Sequence, residues 1–287
     1  MTGFARRDFL LAGVGLSAVC AAAGGGEGAS EPEPVRFEAV AGFELAEVLK
    51  SHPLALIPLG SLEYHGPHNP LGSDSIIVSG VAEHVAARTQ ALLFPTVTFT
   101  HCPAHTAHFP GTLSMRPEVM TMYFEDILRA VRNAGFNRIF VLNGHDGNVG
   151  PARGAISKVA DETPPAAILF ASWWETLPQG DMRQLALFRQ SNGGHGHGGP
   201  LETSAVAAFR PEWVHLDKAK DLPPPPNLSS TVPYYLEKPS APDWPGYSGH
   251  VREASAEKGK QIVQIAVARL TELIQAWLSN PNVPGSW

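Results

Sequence analysis

The stretch IPLGSLEYHGPHNPLGSDS, residues 57–75, joins an apolar run to a polar loop that is rich in glycine and proline. The apolar run ends before Gly60, and the loop then brings Glu63, His65 and Asp74 close together in the sequence. A buried strand followed by such a loop is how α/β enzymes present active-site groups at the carboxyl edge of a sheet. The stretch therefore predicts an α/β fold with a site at the end of this strand.

Glu63 and His65 are separated by one residue, so they project to the same side of an extended segment. A carboxylate oxygen and an imidazole nitrogen together suit a borderline cation such as Zn²⁺ or Mn²⁺. The working hypothesis is a metal site. The alternative is that these side chains only cap turns in a polar surface loop.

The composition limits the classes of protein to which the chain can belong. With 287 residues, 44% of them hydrophobic, it can bury a full core in one large or two small domains. A net charge of −6 without a basic stripe argues against nucleic acid or an anionic membrane surface as a partner. Two cysteines, Cys20 and Cys102, cannot form a disulfide framework or a cysteine-type zinc site. A metal would therefore be held by histidines and carboxylates.

The N-terminal residues have the pattern of an export signal. Arg6 and Arg7 precede a short apolar run over 11–23, which is typical of a bacterial twin-arginine signal peptide. The run is too short and too rich in glycine for a stable membrane span, and the alternative is a chance arginine pair before a frayed helix. We expect a periplasmic or otherwise exported protein with a signal peptide and the start of a linker over 1–30, a linker over 31–36 and one domain over 37–287.

The rest of the chain alternates between strand and helix patterns. Strands are predicted over 54–59, 91–98, 138–142 and 166–173. Helices are predicted over 43–50, from 74 or 75 to 90, and over 118–133, 150–161, 182–190, 201–209 and 252–278. Loops are predicted over 101–112 and over the proline-rich segment 222–248. This alternation predicts a mainly parallel sheet that is covered by helices on both sides.

Three polar clusters, around Glu63, His145 and Glu202, lie at or near the carboxyl ends of predicted strands, where α/β sheets place their ligand sites. We infer one site built from three loops. A two-metal site needs a bridging carboxylate and both oxygen and nitrogen donors. The available donors are Glu63, His65, Asp74, His145 and Glu202. Their three carboxylates would offset three of four positive charges, and a bridging hydroxide would offset the fourth and act as the nucleophile.

His197 lies in the glycine-rich segment 191–200 without a rigid partner in the sequence. It is a better candidate for a proton shuttle than for a structural ligand. Its neighbour His195 is the alternative for that role. For the proposed ligands, the simpler alternatives are a helix cap for His145 and a first-turn carboxylate, favoured by the helix dipole, for Glu202.

The same motifs resemble the creatininase family of amidohydrolases. They are Glu63-Tyr-His65-Gly-Pro-His, Asp74, Asn143-Gly-His145-Asp-Gly-Asn148 and His197-Gly-Gly-Pro-Leu-Glu202-Thr-Ser, in the same order and spread from about Phe37 to the C-terminal helix. The resemblance implies a three-layer α/β/α sandwich, often assembled as a hexamer. It also implies that Glu63, Asp74 and His145 hold one metal. His65, Asp74 and Glu202 would hold the second, and His197 would relay a proton to the leaving nitrogen.

The chain departs from creatininase itself around the substrate. Asp146 and Gly147 stand where that enzyme has tyrosine and glutamate, and Gly193 stands where it has a pocket tryptophan. Trp173 and Trp174 fall at the positions of two aromatic residues of its pocket. The candidate substrate-binding residues are Trp173, Trp174, Asp146 and Leu201.

We therefore expect a homo-oligomeric enzyme that hydrolyses an amide or other C–N bond in a small molecule, including a cyclic amide, other than creatinine. The expected cofactors are two divalent ions per chain, Zn²⁺ or Mn²⁺ or both, with Fe²⁺ as an alternative. A peptidase or a ring hydrolase that uses the same metal site is one rival interpretation. An exported metal- or ligand-binding protein without catalysis is another.

Overall fold

A parallel sheet forms the centre of the fold in the computed structural model, which describes residues 31–163, 165–191, 194–223 and 241–280. Within these residues the sheet has four strands in the order β2-β1-β3-β4. The strands are β1 (Leu54–Leu59), β2 (Leu92–Leu93), β3 (Arg138–Asn143) and β4 (Ala167–Ser172). All six residues of β1 are buried, as expected for a strand that is covered on both faces.

Helices cover both faces of this sheet. On one face, Leu54 and Leu56 pack against the helices that contain residues 76–86, 201–209 and 262–278. On the other face, Ala55 and Ile57 pack against those that contain residues 120–131 and 152–159. The alternation follows from the two-residue period of a strand. The helices are α1 (Leu45–Ser51), α2 (Ser73–Thr89), α3 (Ala104–Ala107), α4 (Pro117–Asn133), α5 (Val149–Ala160), α6 (Gln179–Gln184), α7 (Pro200–Phe209) and α8 (Ala256–Leu278). The predicted three-layer sandwich is confirmed.

The register of the strands positions the site. Leu59 pairs with Asn143, and Asn143 pairs with Ser172, so β1, β3 and β4 end at the same level. The loops that follow these strands therefore start side by side at the carboxyl edge of the sheet. This edge is where ligand sites lie in open α/β folds.

Three predicted elements are corrected by the structure. The strand expected over 91–98 is only Leu92–Leu93, with Val97 in a single bridge to Leu59, because Pro95 lacks the N–H that a ladder needs. The helix expected over 182–190 is Gln179–Gln184 and is followed by Ala186 and Phe188 at positive φ, which no helix continues. Helix α8 starts at Ala256 rather than at Arg252, because the Ser255 side chain caps it by accepting from the Lys258 N–H.

Two smaller differences concern helix starts. Helix α2 begins at Ser73 with Gly72 at its N-cap, so Asp74 lies in the first turn rather than at the cap, and its side chain is free to face the site. The loop predicted over 101–112 contains the short helix α3.

The segment 31–36, predicted as a linker, packs on the domain. The Leu93 N–H donates to the Val35 carbonyl at 2.9 Å, and the Arg36 guanidinium contacts Glu83 at 2.8 Å. The predicted twin-arginine signal over 1–30 lies outside the described residues, as does most of the proline-rich segment 222–248. No helix in the described part of the chain is both long and apolar enough to cross a membrane.

Candidate metal centre

A cavity of about 270 Å³ lies beyond the carboxyl ends of β1 and β3, where the three polar clusters meet. Nearly all of the site residues predicted from the sequence line it. They are Glu63, His65, Asp74, His145, Asp146, Trp174, His197, Leu201 and Glu202. The three polar clusters, which come from loops that are far apart in the chain, thus form a single site.

Trp173 is the predicted site residue that lies elsewhere. Its side chain is fully buried in the core on the α8 side of the sheet, whereas its neighbour Trp174 lines the cavity. The two rings meet nearly at right angles, with centroids 6.4 Å apart. Both residues belong to the 3₁₀ turn that follows β4, where successive side chains diverge, so only one of them can face the site.

The first group of ligand candidates is centred on His145. Its Nδ1 lies 2.9 Å from Asp74 Oδ2 and 3.2 Å from Glu63 Oε2. Its Nε2 is 3.0 Å from the His101 carbonyl oxygen, which can only accept, so this nitrogen carries the proton. This bond fixes the tautomer of the neutral ring, in which Nδ1 is the nitrogen available to a metal ion.

The second group is centred on His65. Its Nε2 lies 3.1 Å from Asp74 Oδ1 and 3.8 Å from Glu202 Oε2. Its Nδ1 donates to the backbone carbonyl of Glu63 at 3.0 Å, so Nε2 is the nitrogen that the neutral ring offers to a metal ion. Since the two oxygens of Asp74 face different histidines, this carboxylate lies between the two groups.

The electrostatics of the cluster favour bound cations. Glu63, Asp74, His65 and His145 are almost completely buried, and Glu63 Oε2 has no hydrogen-bond partner among the described residues. Burial by itself would lower the pKa of His65, but Asp74, Glu202 and Glu63 raise it to about 10. Burial would likewise lower the pKa of His145, but the Glu63 and Asp74 carboxylates outweigh it and raise this pKa well above its ordinary value. Burial also raises the pKa of Glu202 to about 7.

The raised pKa values of His65, His145 and Glu202 indicate that the cluster favours additional positive charge, from protons or from metal ions. Oxygen and imidazole donors that converge within a few ångströms are the set that Zn²⁺ and Mn²⁺ prefer. The second group, His65, Asp74 and Glu202, has ligand atoms that all lie within 4.8 Å of one another. The residues present therefore fit divalent metal binding.

Hydroxyl and backbone groups orient the carboxylates. Ser61 Oγ donates to Asp74 Oδ2 at 2.6 Å, and the Gly198 N–H donates to Glu202 Oε2 at 2.7 Å. Thr106 Oγ1 donates to Glu63 Oε1. Thr106 comes from α3, which the sequence analysis treated as loop, and no local pattern marks it. Ser61 lies within the opening stretch but gave no signal of its own.

The asparagines of the second motif have a structural role. The Asn148 side chain donates to the Gly60 carbonyl at 2.9 Å and to Asn143 Oδ1 at 3.2 Å. Asn143 Oδ1 also accepts from the His145 N–H at 3.2 Å. The side chain of His145 makes no cap to the helix that follows. These contacts tie the loop after β3 to the end of β1 and hold His145 in place.

His197 has firm partners that its glycine-rich surroundings do not suggest. Its Nε2–H donates to the Tyr64 carbonyl at 2.8 Å, and Nδ1 lies 3.7 Å from Glu63 Oε2. Its own carbonyl accepts from the Ser248 N–H at 2.9 Å. Burial and the neighbouring His65 lower the pKa of His197 to about 4. The ring is therefore neutral near pH 7, and an unprotonated Nδ1 faces the centre.

The structure distinguishes His197 from its neighbour in the same segment. His195 also lines the cavity, but its Nε2 lies 2.9 Å from the Leu177 carbonyl, on the other side. Gly198 separates His197 from the helix with φ at +59°, and a side chain there would clash with the His65 carbonyl at 2.8 Å. Glycine at this position thus lets the loop approach the first motif closely.

An aromatic group that the sequence analysis missed lies beside His197. The ring of Trp244 lies 5.8 Å from His197 and 5.7 Å from His105, between centroids. Phe109 stacks on Tyr64 at 4.7 Å and meets the edge of Trp244 at 5.9 Å. Trp244 lies within the proline-rich segment 222–248, which has no strand or helix periodicity, so the sequence pattern did not indicate its position. Gly193, at the position of the absent pocket tryptophan, lies outside the described residues.

The sequence model of the creatininase family, described as creatinine amidohydrolase, matches residues 39–274. The chain belongs to the creatininase family. It is an amidohydrolase-type enzyme, a hydrolase of carbon–nitrogen bonds, as expected from the three motifs.

Relatives within the creatininase family carry different names. A 3-dehydro-scyllo-inosose hydrolase of Thermotoga maritima is 29% identical over 85% of this chain and 84% of its own length. A creatinine amidohydrolase of Pseudomonas putida is 29% identical over 80% of this chain and 92% of its own. A mycofactocin precursor peptide peptidase of Mycobacterium ulcerans is 30% identical over 80% of this chain and 88% of its own length. Family membership therefore leaves the substrate open.

Solved creatininase structures share the fold. One creatinine amidohydrolase structure superposes with a TM-score of 0.75 and 26% identity, over 88% of this chain and 99% of its own. Other creatininase structures are described as a manganese form and a zinc–zinc form. Divalent metal binding thus occurs in the family, in agreement with the donor set found here.

Proposed function

We propose that the chain is a binuclear metal-dependent amidohydrolase that cleaves an amide bond in a small molecule other than creatinine. The observation that carries this proposal is the position of Asp74. Its two buried oxygens lie 3.1 Å from His65 Nε2 and 2.9 Å from His145 Nδ1, the ring nitrogens that are not bonded to backbone carbonyls. A carboxylate that faces two separate nitrogen donors in this way is suited to bridge two metal ions.

Each ion would have its own protein ligands. Glu63, Asp74 and His145 would hold the first, and His65, Asp74 and Glu202 the second. When bound, two such ions polarise a carbonyl oxygen and lower the pKa of a water molecule. The hydrogen bonds of His65 and His145 to backbone carbonyls support this assignment, since they orient each ring with its other nitrogen towards the carboxylates and the metal.

His197 would move the proton that amide cleavage requires. Its Nε2–H is held by the Tyr64 carbonyl, so proton exchange takes place at Nδ1, next to Glu63. A neutral ring accepts a proton at this atom and can donate it to the departing nitrogen, which is a poor leaving group unless it is protonated. The ring of Trp244 lies beside that of His197, with the centroids 5.8 Å apart.

The cavity supports a small substrate. Its volume of about 270 Å³ is at the lower end of the range for small-molecule pockets. Trp174 and Leu201 give it apolar walls, and the Asp146 carboxylate at the rim would accept hydrogen bonds from N–H groups of the substrate. With Trp173 in the core and Asp146-Gly147 after His145, the walls differ from those that the resemblance implies for creatinine.

A second candidate is a peptidase that acts on a short peptide. It is favoured by the 30% identity to the mycofactocin precursor peptide peptidase. Both candidates use the same metal site and the same proton transfer, and they differ only in what occupies the cavity beyond the scissile bond. A screen of substrates therefore separates them.

The test is metal content together with turnover. We expect about two equivalents of zinc or manganese per chain by plasma mass spectrometry, because the donors form two groups around one bridge. Hydrolysis of small amides, cyclic amides and short peptides should disappear on chelation and return on addition of metal. Less than one equivalent after metal loading, or turnover that resists chelation, would refute the proposal.

A further inference from the structure

Cys102 is buried beside the metal centre. Its side chain is 1% exposed, and its sulfur and the ligand atoms of Glu63 and His145 all lie within 4.8 Å of one another. The thiol also contacts the Leu62 carbonyl, at 3.9 Å. A thiol in this position is within the range in which side chains share one metal ion.

We propose that the Cys102 thiolate is a ligand of the metal ion held by Glu63 and His145. This inference rests on the proposed function, because it adds a ligand to the same centre. It differs from the expectation, made from the sequence, that histidines and carboxylates alone would hold the metal. On binding, the S–H bond breaks, the proton passes to solvent, and a sulfur–metal bond forms.

The position of the thiol is fixed by its backbone. The Cys102 N–H donates to Ser114 Oγ at 2.9 Å, and Ser114 Oγ donates to the Cys102 carbonyl at 3.0 Å. The preceding carbonyl, from His101, is the one that fixes the tautomer of His145. The same short segment therefore orients one ligand of this metal and presents the sulfur as another.

Two further observations point to a ligand at this place. Glu63 Oε2 is fully buried and has no hydrogen-bond partner among the described residues, so it is available to a cation between itself and the sulfur. Gly147 leaves no room for a side chain, since a Cβ there would lie 2.5 Å from the His101 carbonyl oxygen. The segment that carries Cys102 thus occupies the space beside His145 in place of a side chain from the His145 loop.

A thiolate would change the chemistry of this ion. Sulfur is a soft donor that favours zinc over manganese, so the Glu63–His145 position should select zinc. The other group has only oxygen and imidazole donors and should accept either ion. A thiolate with three carboxylates also balances the charge of two divalent ions without a further anion.

The test is the cobalt-substituted protein. We expect Co²⁺ bound at about two equivalents to give a sulfur-to-cobalt charge-transfer band in the near ultraviolet, in addition to the visible bands of bound cobalt. The band should vanish in Cys102→Ser, while the visible bands of the other site remain. Cys20→Ser is the matched control, because it removes the other cysteine of the chain, and it should keep the band.

A second measurement needs no variant. X-ray absorption of the zinc-loaded wild type should show a zinc–sulfur distance of about 2.3 Å. Two bound metal ions without the band and without zinc–sulfur scattering would overturn the cysteine ligand and leave the proposed function intact. Failure to bind metal at all would overturn both.

Discussion

Two charged clusters of this molecule use the same residue types for different ends. One is the metal centre at the carboxyl edge of the sheet, with Glu63 and Asp74. The other lies on the surface between α4 and α5, where Arg129 contacts Glu162 at 2.8 Å and Lys158 contacts Glu125. Arg129 and Glu162 are about one-third exposed, whereas Glu63 and Asp74 are buried.

The difference lies in the source of the positive charge. In the surface cluster, each carboxylate faces a permanently charged arginine or lysine, and a hydrogen bond from Lys158 lowers the pKa of Glu125. In the metal centre, the nearby nitrogens belong to histidines whose protons are committed to backbone carbonyls. In the surface cluster, the charge of the carboxylates is therefore balanced by neighbouring arginine and lysine side chains. A buried carboxylate cluster without such permanently charged partners indicates a binding site for cations from outside the protein.

The largest expected effect tests this difference directly. Asp74→Ala removes the bridge between the two histidines, so we expect loss of both metal ions and a fall in kcat/KM of about 10³-fold or more. Glu125→Ala, the matched change in the surface cluster, should keep the metal content and the turnover. Metal content by mass spectrometry and the rate of amide hydrolysis check both. Retention of two ions by Asp74→Ala would remove the bridging role.

Next in size is the proton transfer. His197→Ala should keep both metal ions and lower kcat by about 10²- to 10⁴-fold, the range for loss of a general acid or base. His52→Ala, at a half-buried histidine whose ring contacts Ser51 at the end of α1, is the control and should behave as wild type. Wild-type kcat in His197→Ala, measured at saturating substrate, would exclude the shuttle.

A smaller effect is expected one step away from the metal. Thr106→Val removes the hydrogen bond to Glu63 Oε1 and should weaken metal binding by about 10- to 100-fold, as changes of groups that orient ligands do. Thr106→Ser keeps the hydroxyl and should restore the affinity. Titration with a competing chelator measures both. Thr121→Val, on α4 with its hydroxyl bonded to Pro117, is the control.

The smallest effect is expected in the surface cluster itself. Arg129→Ala leaves Glu162 paired with Arg132 and Glu125 paired with Lys158, so Tm should fall by no more than about 3 °C. Added salt should reduce even this difference, because exposed charge pairs are screened. Thermal unfolding at two salt concentrations checks it. A fall comparable to that caused by loss of the metals would contradict the comparison of the two clusters.

Much of the fold followed from local sequence patterns. The apolar run 54–59 is β1 at the predicted bounds, and the strand over 138–142 was placed within one residue of β3. A strand that is buried on both faces has no polar alternation to obscure its ends. The helix predicted over 182–190 was wrong, because the positive φ values of Ala186 and Phe188 come from the packing of buried Phe188 and not from any local signal.

The sequence by itself determined the donors. Glu63, His65 and Asp74 follow one buried strand, and a parallel sheet brings the ends of its strands to one edge, so their meeting with His145 could be predicted. Only the tertiary structure decided which neighbours complete the site. Trp173 or Trp174 could have faced the cavity, and Thr106, Cys102 and Trp244 come from segments without periodic patterns. Their roles depend on distances across the fold, which no local sequence preference encodes.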